Sequence, residues 1–109
     1  MMDIRGEGCR ISIPHELTIL TPEDENADVH VQLDDGREYA GTLYTPANIT
    51  SLLHKFERSG ECALGRYFWD PTMLVVRDLT EETIRAAIED LVATGDIEKI
   101  FVRSEPLDE

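Results

Sequence analysis

The chain has 109 residues, with 23 Asp and Glu against ten Lys and Arg, a formal net charge of −13. That length is one domain, and an apolar share of 41% supplies a single hydrophobic core. With no local basic patch, such a charge disfavours nucleic-acid backbones and anionic membrane surfaces, and no stretch is apolar over the length of a membrane span.

Residues 1–8 show no periodicity and are expected to be frayed. They lack the basic-then-apolar pattern of a signal peptide, so the cytoplasm is the expected compartment. Cys9, Ile11 and Ile13 alternate with Arg10 and Ser12, a strand pattern that Pro14 stops. Leu17–Leu20 reads as an edge strand, and residues 21–26 as a loop broken by Pro22 and crowded with acids. Val29, Val31 and Leu33 alternate with Asp28, His30 and Gln32 in the clearest strand of the chain. Asp34-Asp35-Gly36 supplies a hairpin turn, and Arg37–Tyr44 returns as its partner. Gly41 within that partner marks a bulge or a close approach by the backbone of another element.

A helix follows at once. Thr45 is its N-cap, Pro46 its first residue and Gly60 its end, with Ile49, Leu52, Leu53 and Phe56 as the apolar stripe. Residues 61–65 connect it to a short strand at Arg66–Trp69, a turn at 70–72, and a strand at Met73–Arg77 that is apolar on both faces and so expected to be central. The strongest helix signal comes next. Thr80 caps it, Leu79 and Ile84 form a hydrophobic staple, and Ile84, Ala87, Ile88, Leu91 and Val92 share one face until Gly95. Arg85 pairs with Glu81 and Glu89 at helical spacing. Ile97–Arg103 reads as a last strand, and residues 104–109 as a frayed acidic tail. The predicted order is βββαββαβ. The fold class is α+β, a mainly antiparallel sheet of five to six strands with two helices packed on one face, in a single domain spanning 1–109.

No motif carries catalysis. Cys9 and Cys62 lie far apart and read as free thiols in a cytoplasmic setting, with no Cys-x-x-Cys. The spacings of His15, His30 and His54 to the cysteines match no zinc signature, so no metal is expected, and no glycine loop cradles a phosphate, so no cofactor is expected. An enzyme reading would need one of the many carboxylates working with His54 or Cys62, and the balance leans against it.

The charge is uneven. Residues 39–77 hold only three of the 23 acids, four of the ten bases and six of the seven aromatics. Within them Arg66-Tyr-Phe-Trp69 brings together residue types that dominate protein interfaces. Tyr67 and Trp69 with Arg66, rimmed by Asp34, Asp35 and Glu38, form the expected contact surface. The segments Val29–Tyr39, Thr45–Leu53, Ser59–Cys62, Arg66–Trp69 and Leu79–Ile84 together resemble a recurring type of small bacterial protein of unknown function over roughly residues 9–103, a likeness that implies no activity. In size and acidity the chain is also similar to bacterial immunity proteins, which implies inhibition of a basic partner. The combined expectation is a non-enzymatic protein-binding module, working as a homodimer or with a basic protein. A purely structural subunit is the remaining alternative.

Overall fold

In the computed structural model, which describes residues 2–14 and 26–104, the alternating segments pair into a six-stranded sheet. The strands are β1 (Met2–Gly6), β2 (Cys9–Ile13), β3 (Asn26–Leu33), β4 (Glu38–Tyr44), β5 (Met73–Val75) and β6 (Val102–Arg103). The helical segments are α1 (Pro46–Ser59), α2 (Glu61–Gly65), α3 (Glu81–Thr94) and α4 (Ile97–Ile100). The first four strands form an antiparallel meander. β5 then runs parallel to the second half of β4, and β6 antiparallel to its first half. The fold is therefore α+β with a mostly antiparallel sheet. No helix among the described residues is long and apolar enough to cross a membrane.

Register follows from which residues must be dry. Ile4, Ile11, Val31 and Tyr39 stand opposite one another across β1–β4, and none is more than 2% exposed. A slip of one residue would turn this whole row to solvent. α3 lays Ile84 and Ile88 on the same face, with Ile97 and Phe101 closing its end. A side chain at Gly41 would put its Cβ 2.3 Å from the Phe101 ring, so what approaches there is a side-chain ring and not the backbone of another element.

Local signals set the ends of α3. The Thr80 hydroxyl accepts the Thr83 N–H, and the Asp78 carboxylate accepts both the N–H and the O–H of Thr80. Those bonds, that of the Thr80 hydroxyl foremost, hold Asp78 down at about 2. Arg85 pairs with Glu81 at 2.6 Å, as expected. Its Nε donates to the Arg5 carbonyl, while Glu89 accepts the Glu7 N–H, so α3 is bonded to the β1–β2 hairpin as well as packed on it.

Several expectations are corrected. Residues 2–6 are a strand, because Ile4 buries against Ile11 and Glu7-Gly8 makes a two-residue turn, with Gly8 at φ +78°. Arg66–Trp69 is not a strand, since β5 and β6 together occupy the free side of β4. β5 closes the strand order and is not central. Ile97–Ile100 is helical, since Ile97, Ile100 and Phe101 meet the core only at helical spacing. The observed order is thus ββββααβααβ. α1 stands apart from α3: none of its residues is buried, and none belongs to the core cluster. The expected strand at 17–20, the loop up to residue 25 and the tail from residue 105 lie outside the described residues.

Candidate interaction surface

The arm formed by α1, α2 and residues 66–72 is built locally. Thr45 caps α1 by accepting the Asn48 N–H at 3.3 Å, and Pro46 occupies the first turn. Gly60, at φ +87°, ends the helix by returning its N–H to the Phe56 carbonyl. The chain then does something rare. Cys62, Ala63 and Leu64 all take left-handed helical angles (φ +52°, +53° and +62°), followed by Gly65 at φ +78°. Each of the three non-glycine residues costs roughly 1–2 kcal/mol in that conformation. The turn folds the chain back onto α1 so closely that a Cβ at Gly65 would sit 2.3 Å from the Leu53 carbonyl oxygen.

Parity then sorts the aromatic run. Phe68 turns inward, its ring 5.6 Å from Tyr44 and 6.1 Å from Phe56, both tilted contacts. Tyr44 is out of phase with Tyr39, Gly41 and Leu43, so it rises from the sheet face opposite the core. Its hydroxyl donates to Asp70 at 2.9 Å, and Asp70 also accepts the N–H and O–H of Thr72. Burial first, and then the bond to Asp70, push the Tyr44 hydroxyl up to about 12. The Thr72 N–H, aided by the Tyr44 and Thr72 hydroxyls, holds Asp70 below the ordinary carboxylate range.

With Phe68 inside, its neighbours point out. Trp69 is 73% exposed and Tyr67 53%, and Leu64 at the left-handed turn and Val75 on β5 are also bare. The half-buried stripe of Ile49, Leu52, Leu53 and Phe56 lies alongside.

The acids expected to rim this surface sit elsewhere. Asp34 and Asp35 occupy the turn before β4, and Glu38 is its first residue, whereas the arm is tied to Tyr44, its last. Six steps of extended chain separate Glu38 from Tyr44, about 20 Å. Two of these acids are also engaged: Asp35 with Arg37, and Glu38 with His30 at 3.2 Å and Gln32 at 3.4 Å. The structure therefore groups Arg66, Tyr67 and Trp69 on the arm and places Asp34, Asp35 and Glu38 at the other end of β4.

The residues of the enzyme reading can be placed too. His54 Nδ1 lies 3.7 Å from Glu57, a solvated pair one helical turn apart. Both line a hollow of about 420 Å³ with Leu53, Leu64, Gly65 and Arg66, and Cys62 is not part of its lining. Cys9 and Cys62 are both free thiols. Cys9 is buried, and burial, with Glu89 and Asp34 nearby, pushes its thiol up, away from the reactive thiolate. Among the described residues no three His, Cys, Asp or Glu come together as a metal site would require.

No family model, curated protein or solved structure matches the chain.

Proposed function

We propose that the protein is a non-enzymatic, cytoplasmic protein-binding module that uses the arm as its contact surface. The observation that carries this reading is Trp69, left 73% exposed while Phe68 beside it is half-buried against Tyr44 and Phe56. An exposed Trp on the same arm as exposed Tyr67, Leu64 and Arg66 has the make-up of an interface centre. The largest exposed apolar patch on a monomer, commonly about 300–600 Å², is often a functional surface.

Trp69 is the sole tryptophan, so it reports on its own burial. In the free protein its fluorescence should be that of a solvated indole, shifting to the blue when a partner covers it. Trp69→Ala should leave thermal unfolding within about 0.5 kcal/mol of wild type, as at other exposed positions. The same variant should lose whatever protein a tagged wild-type chain retains from its host. A variant that fails to fold would make Trp69 a core residue, and one that keeps its complex would move the surface elsewhere.

The net charge of −13 favours a second reading, an inhibitor-like module for a basic protein. That complex would form on the acidic parts of the chain outside the arm and would weaken as salt rises, because exposed charge pairs are screened.

A further inference from the structure

The two ends of the sheet are finished differently. At the β1 end, the edge carries exposed Asp3 and Arg5, and Arg85 of α3 already donates to the Arg5 carbonyl at 3.1 Å. Charged side chains and an occupied carbonyl are how natural sheets guard an edge. At the β5 end, the strand is Met73-Leu74-Val75, without a charge, and no described strand lies beyond it. Thr42 donates to the Thr72 carbonyl and Val76 donates to Tyr44, so residues 72, 74 and 76 face β4. Residues 73 and 75 therefore turn their backbone groups outward. The Met73 N–H is taken by Asp70 at 3.2 Å, which leaves the Met73 carbonyl and both groups of Val75 toward solvent.

Building on the arm as a contact surface, we infer that its occupant is a second copy of this chain, joined edge to edge through β5. An antiparallel pairing about a two-fold axis at Leu74 would let the Val75 N–H of each copy donate to the Met73 carbonyl of the other. Trp69, Tyr67 and Leu64 would close over the seam.

One observation selects a copy of the chain over a basic protein, and another shows that the surface is large enough for a stable dimer. The first is charge. Residues 39–77, which build the arm and β5, carry three acids and four bases in a chain of net charge −13. A basic partner would meet Lys55, Arg58, Arg66 and Arg77 there, a poor complement, whereas two near-neutral arms can meet with the acidic remainder of each copy held away. The second is area. The bare apolar side chains on the arm and β5 expose on the order of 500 Å². That is about the apolar part, roughly 65%, of the ~800 Å² that each partner buries in a standard dimer.

Sedimentation velocity over a dilution series tests this, run at low and at high salt on wild type, Val75→Lys and Val75→Pro. Proline at 75 removes an N–H that β4 does not use, and lysine places a charge on the bare edge. Wild type should dimerise reversibly, with Trp69 emission moving to the blue as the dimer forms. Added salt should leave the dimer as tight or tighter, because it screens repulsion between two acidic bodies. Either variant, with unchanged circular dichroism, should dissociate at least about tenfold more readily. If proline disturbs folding, lysine alone decides. A chain that stays monomeric at every concentration overturns the proposal, as does a dimer that tolerates Val75→Lys or one that salt dissolves. None of these outcomes removes the arm as a binding surface, which falls if Trp69→Ala keeps its complexes or fails to fold.

Discussion

Tyr44 joins the two parts of this molecule. Its backbone belongs to β4, its ring meets Phe68, and its hydroxyl holds Asp70 at the end of the exposed aromatic run. Removing that hydroxyl in Tyr44→Phe should cost about 1 kcal/mol, the net worth of one such bond. The sign with pH is set by the direction of the shift. The folded phenol is raised from 10.0 to about 12, so its contribution is complete below pH 10 and is lost as pH rises toward 12. Asp70 runs the other way: its folded carboxyl is lowered, so its contribution is present above the unfolded value and lost as pH falls. Urea unfolding of wild type should therefore show an alkaline loss of stability between pH 10 and about 12, and Tyr44→Phe should show a smaller one, keeping only the part that the raised Cys9 thiol contributes. A wild-type curve flat over that window would mean that the Tyr44–Asp70 bond does not form in solution.

The left-handed turn is the most unusual element and can be tested by relieving it. Ala63 is exposed, at φ +53° and ψ +46°. Glycine adopts those angles freely, so Ala63→Gly should stabilise the protein by up to about 1 kcal/mol, although the same change in a right-handed helix would destabilise by a similar amount. Opposite signs for one substitution make denaturant unfolding a clean test of the turn's hand. No sequence signal announced this turn, because Cys62-Ala-Leu64 has no glycine or asparagine to mark left-handed angles, and only Gly65 after them, close against Leu53, suits such a conformation. By contrast, β3, β4 and α3 could be read directly: alternation in Val29–Leu33, Gly36 in the turn, Thr80 and Gly95 at the helix ends are all local. β1 and α4 were misread because each is decided by a distant partner, Ile4 by Ile11 across a hairpin and Ile97 by the floor of the core. The same divide runs through the contact surface. Composition alone drew attention to Arg66–Trp69. What decided which side faces inward was Tyr44, on another strand, and nothing in the sequence could show that the arm is tied to that end of the strand, away from Asp34, Asp35 and Glu38.

The molecule as a whole carries two packing units of unequal strength. The main core runs from Ile4 to Phe101 and takes nothing from α1. The arm is held by the Tyr44–Phe68–Phe56 stack, the Tyr44–Asp70 bond, and a bond from Asn26 on β3 to Asn48 on α1 at 2.8 Å. The radius of gyration is 14.8 Å, against about 13 Å for a compact chain of this length. Elements with few buried contacts open at lower free energy than the core that supports them. Hydrogen exchange should accordingly show α1 amides opening well before those of β2, β3 and β4. Phe68→Ala removes the shared ring of the stack. It should lower protection in α1 while leaving the slowest amides of the β3–β4 pair, which report global unfolding, within about 0.5 kcal/mol of wild type. If protection fell equally everywhere, the arm and the sheet would be one cooperative unit. A weakly held arm also fits the interface assigned to it, because covering it with a second copy would bury the Phe68 stack and slow exchange in α1 as concentration rises. Coupled gain of α1 protection and blue-shifted Trp69 emission on the same concentration scale would tie the order of the arm to assembly.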